Sequence, residues 1–156
     1  MTRSEYRYGG ARALVALHAD HLRGFLAVWR RADLQDLALQ PTSDPSYASR
    51  EVLLAHVLGG AARYLTWICE QLGLPRPDVV EYPDPAGFGS RAEAYLDEVL
   101  AAWEGPLQDV TEEFADTRVF TSRWGAPYTI DAMLEHAVMH PIRHAHQLER
   151  LLAEQR

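Results

Sequence analysis

The feature that most constrains the fold is the segment of residues 129–152, which carries four of the seven histidines on one predicted helix. At about 3.6 residues per turn, His140 and His144 share an apolar stripe with Met133 and Ala137. Two imidazoles on a buried face lose their hydration unless each ring nitrogen finds a partner. The spacing is typical both of a metal site and of a pair of hydrogen-bonded core histidines, and it leaves both interpretations open.

The composition restricts the class of protein. A chain of 156 residues that is 47% hydrophobic is long enough for one core, so we expect a single domain over residues 1–156. The net charge of −7 disfavours nucleic acid and anionic membranes as partners. The single Cys69 gives no disulfide framework, and we expect it to be a small core residue. Because no signal segment or membrane-spanning stretch is evident, we expect a cytoplasmic protein.

Apolar periodicity predicts four long helices joined by loops. They are expected from just after Gly9–Gly10 to about residue 37, over residues 50–72, over about 90–114 and over about 129–152. Ser49 and Thr129 are the expected N-caps of the second and fourth helices, and Gly73 the end of the second. The third helix is expected to open with a capping box at residues 90–93 and to kink or break at residues 105–106. Pro141 predicts a bend in the fourth helix.

The second helix carries two unusual features. Gly59 and Gly60 each cost about 1 kcal/mol relative to alanine inside a helix, which indicates a bulky neighbour, either another helix or a ligand. His56 lies opposite the strongest apolar stripe, on a weaker second arc. This helix is therefore expected to be buried on two sides, and a homodimer contact is one way to cover the second side.

The connecting segments contain further candidates. Residues 73–89 contain four prolines and suit a lid or a crossover between parallel helices. The segment of residues 117–127 predicts an ordered loop with a short extended pair, in which Arg123 and Trp124 either edge a pocket or are an exposed charge and a packed ring. His18 and His21 in the first helix are interpreted either as core histidines or as a second pair facing a metal.

The histidine pattern also has a family resemblance. The sequence H-x-x-x-H-x-x-Q-L at His140, His144, Gln147 and Leu148, together with His56 in LLAHVLGGAARYL, resembles the DinB/YfiT-like superfamily of metalloenzymes. The resemblance covers nearly the whole chain in helix order and length, but its specific residues are only three histidines and one glutamine. It implies an all-α four-helix bundle with non-simple connectivity and long loops, which binds zinc or nickel through His56, His140 and His144.

The resemblance also implies a function. Transfer of a low-molecular-weight thiol, bacillithiol or mycothiol, to a small-molecule electrophile is the favoured activity, and metal-dependent hydrolysis is an alternative. Three neutral imidazoles leave the charge of the ion uncompensated and coordination positions open, so that a bound thiol or water loses its proton more readily. No carboxylate lies on the histidine stripe, which favours thiol transfer over hydrolysis. A metal- or ligand-binding stress-response module without catalysis is a further alternative.

Five residues are candidates for the surroundings of the metal. Gln147 would hold a ligand ring or a bound water, or would be a surface amide. His136 would be a proton shuttle or a packed side chain. Arg63 and Tyr64 would contact an anionic or polar substrate, and Gly60 would leave space beside the pocket.

Overall fold

The computed structural model describes residues 5–155, and its regular structure is almost entirely helical. Its helices are α1 (Gly9–Leu34), α2 (Arg50–Leu72), α3 (Ala92–Trp103), α4 (Glu112–Thr117) and α5 (Ile130–Glu154). Two 3₁₀ turns lie at Pro45–Tyr47 and Phe88–Ser90. Strands β1 (Phe120–Thr121) and β2 (Pro127–Tyr128) form one antiparallel pair, which confirms the short extended pair expected there. The all-α class is confirmed.

Local capping sets the ends of the two helices that carry the candidate ligands. Ser49 accepts a hydrogen bond from the backbone N–H of Val52 at 3.1 Å, and Thr129 accepts one from that of Ala132 at 3.0 Å. Each hydroxyl satisfies an N–H group that has no partner within its helix. Gly73 ends α2 with a φ of 67°, a left-handed conformation that glycine adopts without steric cost. These three predictions are confirmed.

The third predicted helix was wrong over much of its length. α3 ends at Trp103, turns follow around Gly105 and Pro106, and the separate α4 begins only after its N-cap Thr111. Proline lacks a backbone donor, so the chain breaks here, which confirms the break expected at residues 105–106 as the alternative to a kink. The predicted capping box was also wrong, because Ser90 lies in a 3₁₀ turn and its hydroxyl donates to the carbonyl of Gly87 at 2.9 Å. The first helix ends three residues earlier than expected, at Leu34.

The helices pack around a common apolar core. α1 has its most extensive contact with α5, α2 also packs against α5, and α3 contacts both α1 and α2. Tryptophan indoles join these elements, since Trp103 Nε1 donates to the carbonyl of Ala61 at 3.2 Å and Trp29 Nε1 donates to that of Arg50 at 2.7 Å. Trp103 is buried in this core.

The long connection after Gly73 runs back along α2. Its Glu81 carbonyl accepts a hydrogen bond from Arg63 Nη1 at 2.8 Å, and further on the Glu51 carboxylate accepts one from the backbone N–H of Gly87 at 3.1 Å. A Cβ atom on Gly59 would lie 2.9 Å from that Glu81 carbonyl oxygen. The neighbour that requires glycine at position 59 is therefore the connection itself.

A buried carboxylate fastens the connection to the loop before β2. Glu81 is only 6% exposed and forms ion pairs with Arg76 and Arg123. Arg123 also reaches Glu70 on α2 at 3.3 Å. Burying the Glu81 carboxylate requires partners of opposite charge. Arg123 itself stays exposed to solvent, which confirms its interpretation as an exposed charge. Trp124 is half exposed.

The apolar character of α2 reflects burial within the chain. By length and composition α2 would suffice to cross a membrane, with a mean hydropathy of 1.4, so the expectation that no segment meets this criterion was wrong. However, 78% of its apolar 18-residue segment is buried inside the protein. Both apolar faces of α2 are covered by other parts of the chain. The apolar faces of α2 therefore give no support to a homodimer contact, and the homodimer stays a prediction.

His18 is a core histidine. It is buried, and its ring meets the ring of Trp103 edge to face with centroids 4.6 Å apart. Neither His18 nor His21 belongs to the cluster of potential metal ligands found within residues 5–155. The interpretation as a second metal-facing pair is therefore not supported by their positions.

We expect His18 to make the protein less stable in acid. Burial, aided by the nearby His21, lowers the pKa of His18 to about 3. Between that value and the ordinary pKa of about 6.5, the unfolded chain binds one more proton than the folded chain. Stability is therefore lost as the pH falls through this window, by up to about 1.4 kcal/mol per pH unit.

Urea unfolding of the metal-free protein at pH 7 and pH 5 measures this effect. His18→Leu is expected to reduce the stability difference between the two pH values by about 2 kcal/mol. Leu22→Ala, which changes the buried core without removing a titratable group, should keep the wild-type difference. An unchanged pH dependence in His18→Leu would contradict the prediction.

Candidate metal centre

Three histidines from two helices meet in the core. His56 comes from the second turn of α2, and His140 and His144 come from consecutive turns of α5. One potential ligand nitrogen from each lies within 4.8 Å of the others, and Nε2 of His56 lies 3.1 Å from Nε2 of His140. Two imidazole nitrogens that bind one tetrahedral zinc at about 2.0–2.1 Å lie about 3.3 Å apart. The separation of the His56 and His140 nitrogens is therefore close to the spacing that a shared ion requires.

Buried nitrogens without partners give an independent test of whether this cluster fits a metal. Nε2 of His144 and Nδ1 of His140 are buried and have no hydrogen-bond partner. An unsatisfied buried polar group costs about 1–3 kcal/mol. An ion among the three rings would give the His144 nitrogen the partner that it lacks, so the residues present fit a metal.

Desolvation keeps these rings neutral. Burial lowers the pKa of His140 to about 2 and that of His144 to about 4, and the neighbouring imidazoles add to both shifts. Burial also lowers the pKa of His56, with a further contribution from Arg63. A neutral imidazole has one nitrogen lone pair available, so at neutral pH no proton has to leave before a metal binds.

Side chains of the 3₁₀ turn at Pro45–Tyr47 contact the Nδ1 atoms of two of the three rings. Nδ1 of His144 lies 2.8 Å from Tyr47 Oη and 3.0 Å from Oε1 of Gln147, and the Tyr47 hydroxyl donates to that same amide oxygen. Ser46 Oγ lies 3.3 Å from Nδ1 of His56. When Nδ1 carries the proton, Nε2 presents its lone pair to the cluster. The turn thus orients both rings.

Local sequence patterns contain no signal for Tyr47 or Ser46. Their segment was expected only as a loop between the first two helices, because a single 3₁₀ turn has no periodicity. Asp44 caps the turn by accepting from the backbone N–H of Ser46 at 2.9 Å. Gln147, in contrast, lies where the spacing suggested, one turn beyond His144 and hydrogen-bonded to it.

Tyr47→Phe should weaken metal binding without unfolding the protein. The substitution keeps the ring but removes the hydroxyl that lies against His144 and Gln147. Loss of such an outer partner costs about 10- to 100-fold in metal affinity. Competition for zinc with a chromophoric chelator measures the change. Tyr6→Phe removes a hydroxyl that donates to the Glu104 carbonyl and should leave the affinity unchanged, whereas equal affinities in both variants would contradict the role of Tyr47.

Gly60 makes room for one ligand ring. A Cβ atom at this position would lie 2.9 Å from Cε1 and 3.1 Å from Nδ1 of His140. The bulky neighbour predicted beside Gly60 is therefore a side chain of α5, and that side chain is one of the candidate ligands.

An aromatic cluster leads from His140 to the surface. Tyr64 lies between His140 and His136, with ring centroids 5.5 and 5.3 Å away. His136 also meets the half-exposed Trp124 at 5.2 Å, and its Nδ1 lies 3.3 Å from Tyr128 Oη. Burial raises the pKa of Tyr64 to about 12, so its phenol keeps its proton at neutral pH. His136 is thus packed among aromatic rings, and both a packing role and a proton-relay role stay open for it.

Arg63 lies beside the site but is already engaged. Its two terminal nitrogens donate to the carbonyls of Glu81 and His56 at 2.8 and 3.0 Å, and its guanidinium lies over the ring of Tyr82. It lines, together with His56 and Tyr82, a cavity of about 370 Å³. These contacts fasten the connection to α2, which is a structural use of Arg63.

A second cavity, of about 310 Å³, opens over α5 on the His140 side. Its lining residues are His136, Met139, His140, Ile142, Arg143 and His146. His140 therefore belongs to the ligand cluster and also lines a cavity large enough for part of a small molecule.

Cys69 lies outside the cluster. It is buried in the core, and burial raises the pKa of its thiol, which disfavours the nucleophilic thiolate. Its expected place in the core is confirmed.

Comparisons with protein-family models, curated proteins and solved structures give no significant match to this chain. Inference about its function therefore depends on the geometry of the three-histidine cluster and its surroundings.

Proposed function

We propose that this chain is a DinB-like four-helix bundle that binds one divalent metal ion and transfers a low-molecular-weight thiol to a small electrophile. The observation that carries the proposal is the convergence of His56, His140 and His144 with a buried, unpartnered nitrogen on His144. Zinc and nickel are the proposed ions, because imidazole donors suit both.

Contacts between the helices support the non-simple connectivity of the proposed bundle. The Tyr8 hydroxyl, next to the start of α1, donates to Asp131 near the start of α5, which indicates that these two neighbours run parallel. Along α5, His136 meets Tyr64 of α2 whereas His144 meets the earlier His56, which indicates antiparallel helices. The connection of residues 73–91 returns along α2 before α3 starts, as a crossover between parallel helices requires.

The donor set suits catalysis better than a purely structural role. A divalent ion held by three neutral imidazoles would keep its charge and open coordination positions, and would lower the pKa of a thiol beside it. In the proposed reaction the thiol proton passes to solvent, the sulfur forms a bond to the electrophilic carbon, and the leaving group departs with the electron pair of its broken bond. No protein nucleophile is needed, which agrees with the burial of Cys69.

Neighbouring residues of the chain orient the three ligand rings. The Nδ1 atoms of two rings contact the side chains of Tyr47, Gln147 and Ser46. Gly60 leaves the space in which the His140 ring approaches α2. The ring of Tyr64 meets the ring of His140 edge to face. Within residues 5–155 no carboxylate belongs to the ligand cluster, and a hydrolase needs a base of this kind more than a thiol transferase does.

Turnover by the metal-loaded protein tests the proposal. Zinc- or nickel-loaded protein is incubated with bacillithiol or mycothiol and monochlorobimane, and thioether formation is followed by fluorescence. We expect catalysis that chelator and His140→Ala abolish. His21→Ala, which removes a histidine outside both the ligand cluster and the α5 cavity, should retain it. Metal binding without consumption of either thiol would contradict thiol transfer and support the non-catalytic module. Metal-dependent cleavage of an ester without thiol transfer would support the hydrolase.

A further inference from the structure

The cavity over α5 contains a positive charge that has no hydrogen-bond or ion-pair partner within residues 5–155. Arg143 lines this cavity together with His136 and His140. Within the described residues it forms no ion pair and no hydrogen bond, unlike Arg150 on the same helix, which pairs with Glu154 at 3.6 Å. The guanidinium is therefore free to bind a ligand that enters the cavity.

The same charge faces the ligand cluster. Burial is the largest cause of the lowered pKa values of the candidate ligands and of His136, and the positive charge of Arg143 adds to the shift in each of the four histidines. This charge is thus within electrostatic reach of both the cluster and the cavity. A substrate group bound to Arg143 would lie close to the three rings.

In the part of the chain that the structure describes, no acidic side chain forms an ion pair with Arg143 or belongs to the ligand cluster. The ligand cluster consists of three neutral rings, so a divalent ion together with Arg143 would bring three positive charges into a chain whose net charge is −7. The carboxylate of Asp44 partly opposes the lowering of the pKa of His56 and of His144, but it also caps the backbone of Ser46. A site with this imbalance favours a ligand that carries negative charge in addition to a thiolate.

We propose that the thiol substrate carries a carboxylate, which Arg143 binds in the α5 cavity while the sulfur approaches the three-histidine cluster. This inference rests on the proposed thiol transfer and deepens it by naming the class of thiol. Guanidinium binds carboxylate with two parallel hydrogen bonds, which positions the rest of the molecule as well as holding it. Arg143 is a positioning residue in this scheme, because it contacts the substrate away from the sulfur.

Thiol binding to the cobalt(II)-substituted protein tests the inference without turnover. The probes are mercaptobutanoate and mercaptobutanol, two thiols of equal chain length that differ in the carboxylate. The sulfur-to-cobalt charge-transfer band in the near ultraviolet reports binding of each. We expect wild-type protein to bind the carboxylate thiol about two- to fivefold more tightly, as for an exposed charged pair, with the preference shrinking at high ionic strength.

Two variants separate Arg143 from a general charge effect. Arg143→Gln should bind both thiols equally, and Arg150→Gln should behave like wild type. Equal binding by wild-type protein, or a preference that survives in Arg143→Gln, would overturn the inference and leave thiol transfer standing. If cobalt(II) does not bind, or if neither thiol produces the band, the proposed function itself fails, and the inference fails with it.

Discussion

His144→Ala is expected to lower zinc affinity by more than about 100-fold and to abolish thiol transfer. Loss of even an outer partner of a ligand costs about 10- to 100-fold in affinity, and His144 is a candidate ligand itself. Its Nε2 is buried and unpartnered, so an ion that binds to it removes the free-energy cost of an unsatisfied buried nitrogen in the wild-type protein. The alanine variant lacks this nitrogen and this gain. Competition for zinc with a chromophoric chelator gives the affinity directly.

Thermal unfolding provides the second readout for His144→Ala. Excess zinc should raise the Tm of wild-type protein, because a ligand that binds only the folded state stabilises it by mass action. The Tm of His144→Ala should not respond. His146→Ala is the matched control, since His146 lies two residues further along α5 and outside the cluster, and it should keep both the affinity and the Tm response. Wild-type affinity in His144→Ala would contradict the assignment of His144 as a ligand.

Gly60→Ala is expected to damage the same site from the opposite helix. The new methyl group would lie 2.9 Å from Cε1 of His140, closer than packed carbon atoms approach, so the ring has to move. Overpacking of this kind costs about 1–3 kcal/mol, which exceeds the gain of about 1 kcal/mol from replacing glycine in a helix. Displacement of the ring should also lower zinc affinity by about 10- to 100-fold.

Gly24→Ala is the matched control for this substitution. Gly24 lies inside α1, and a Cβ atom there would have no neighbour within 4 Å. It should therefore stabilise the protein by about 1 kcal/mol through helix propensity alone and leave zinc affinity unchanged. Urea unfolding and zinc competition on both variants separate the two effects. A Gly60→Ala protein that gains stability and binds zinc normally would show that His140 needs no space at this position.

Local sequence signals predicted the helices that carry the site. The bounds of α2 agree with the sequence prediction at both ends because a capping serine and a left-handed glycine act within a few residues. The histidines of α5 were recognised by their one-turn spacing, which the helix preserves. The third helix failed because its apolar spacing continued across Gly105 and Pro106, where the missing backbone donor breaks the chain into turns.

Contacts between distant parts of the chain could not be predicted in this way. Tyr47 and His144 are 97 residues apart, and nothing in the local pattern of either reports the other. The pairing of Glu81 with Arg123 likewise depends on where the connection crosses α2. Gly60 was predicted in part. The free-energy cost of a glycine inside a helix indicated a close neighbour but did not identify it as His140.

The central claim is that His56, His140 and His144 bind one ion together, and X-ray absorption at the zinc edge of the loaded protein tests it most directly. The structure predicts one zinc per chain with three imidazole nitrogens at about 2.0–2.1 Å and no sulfur ligand. A coordination shell that contains sulfur, or oxygen ligands with one imidazole or none, would contradict it.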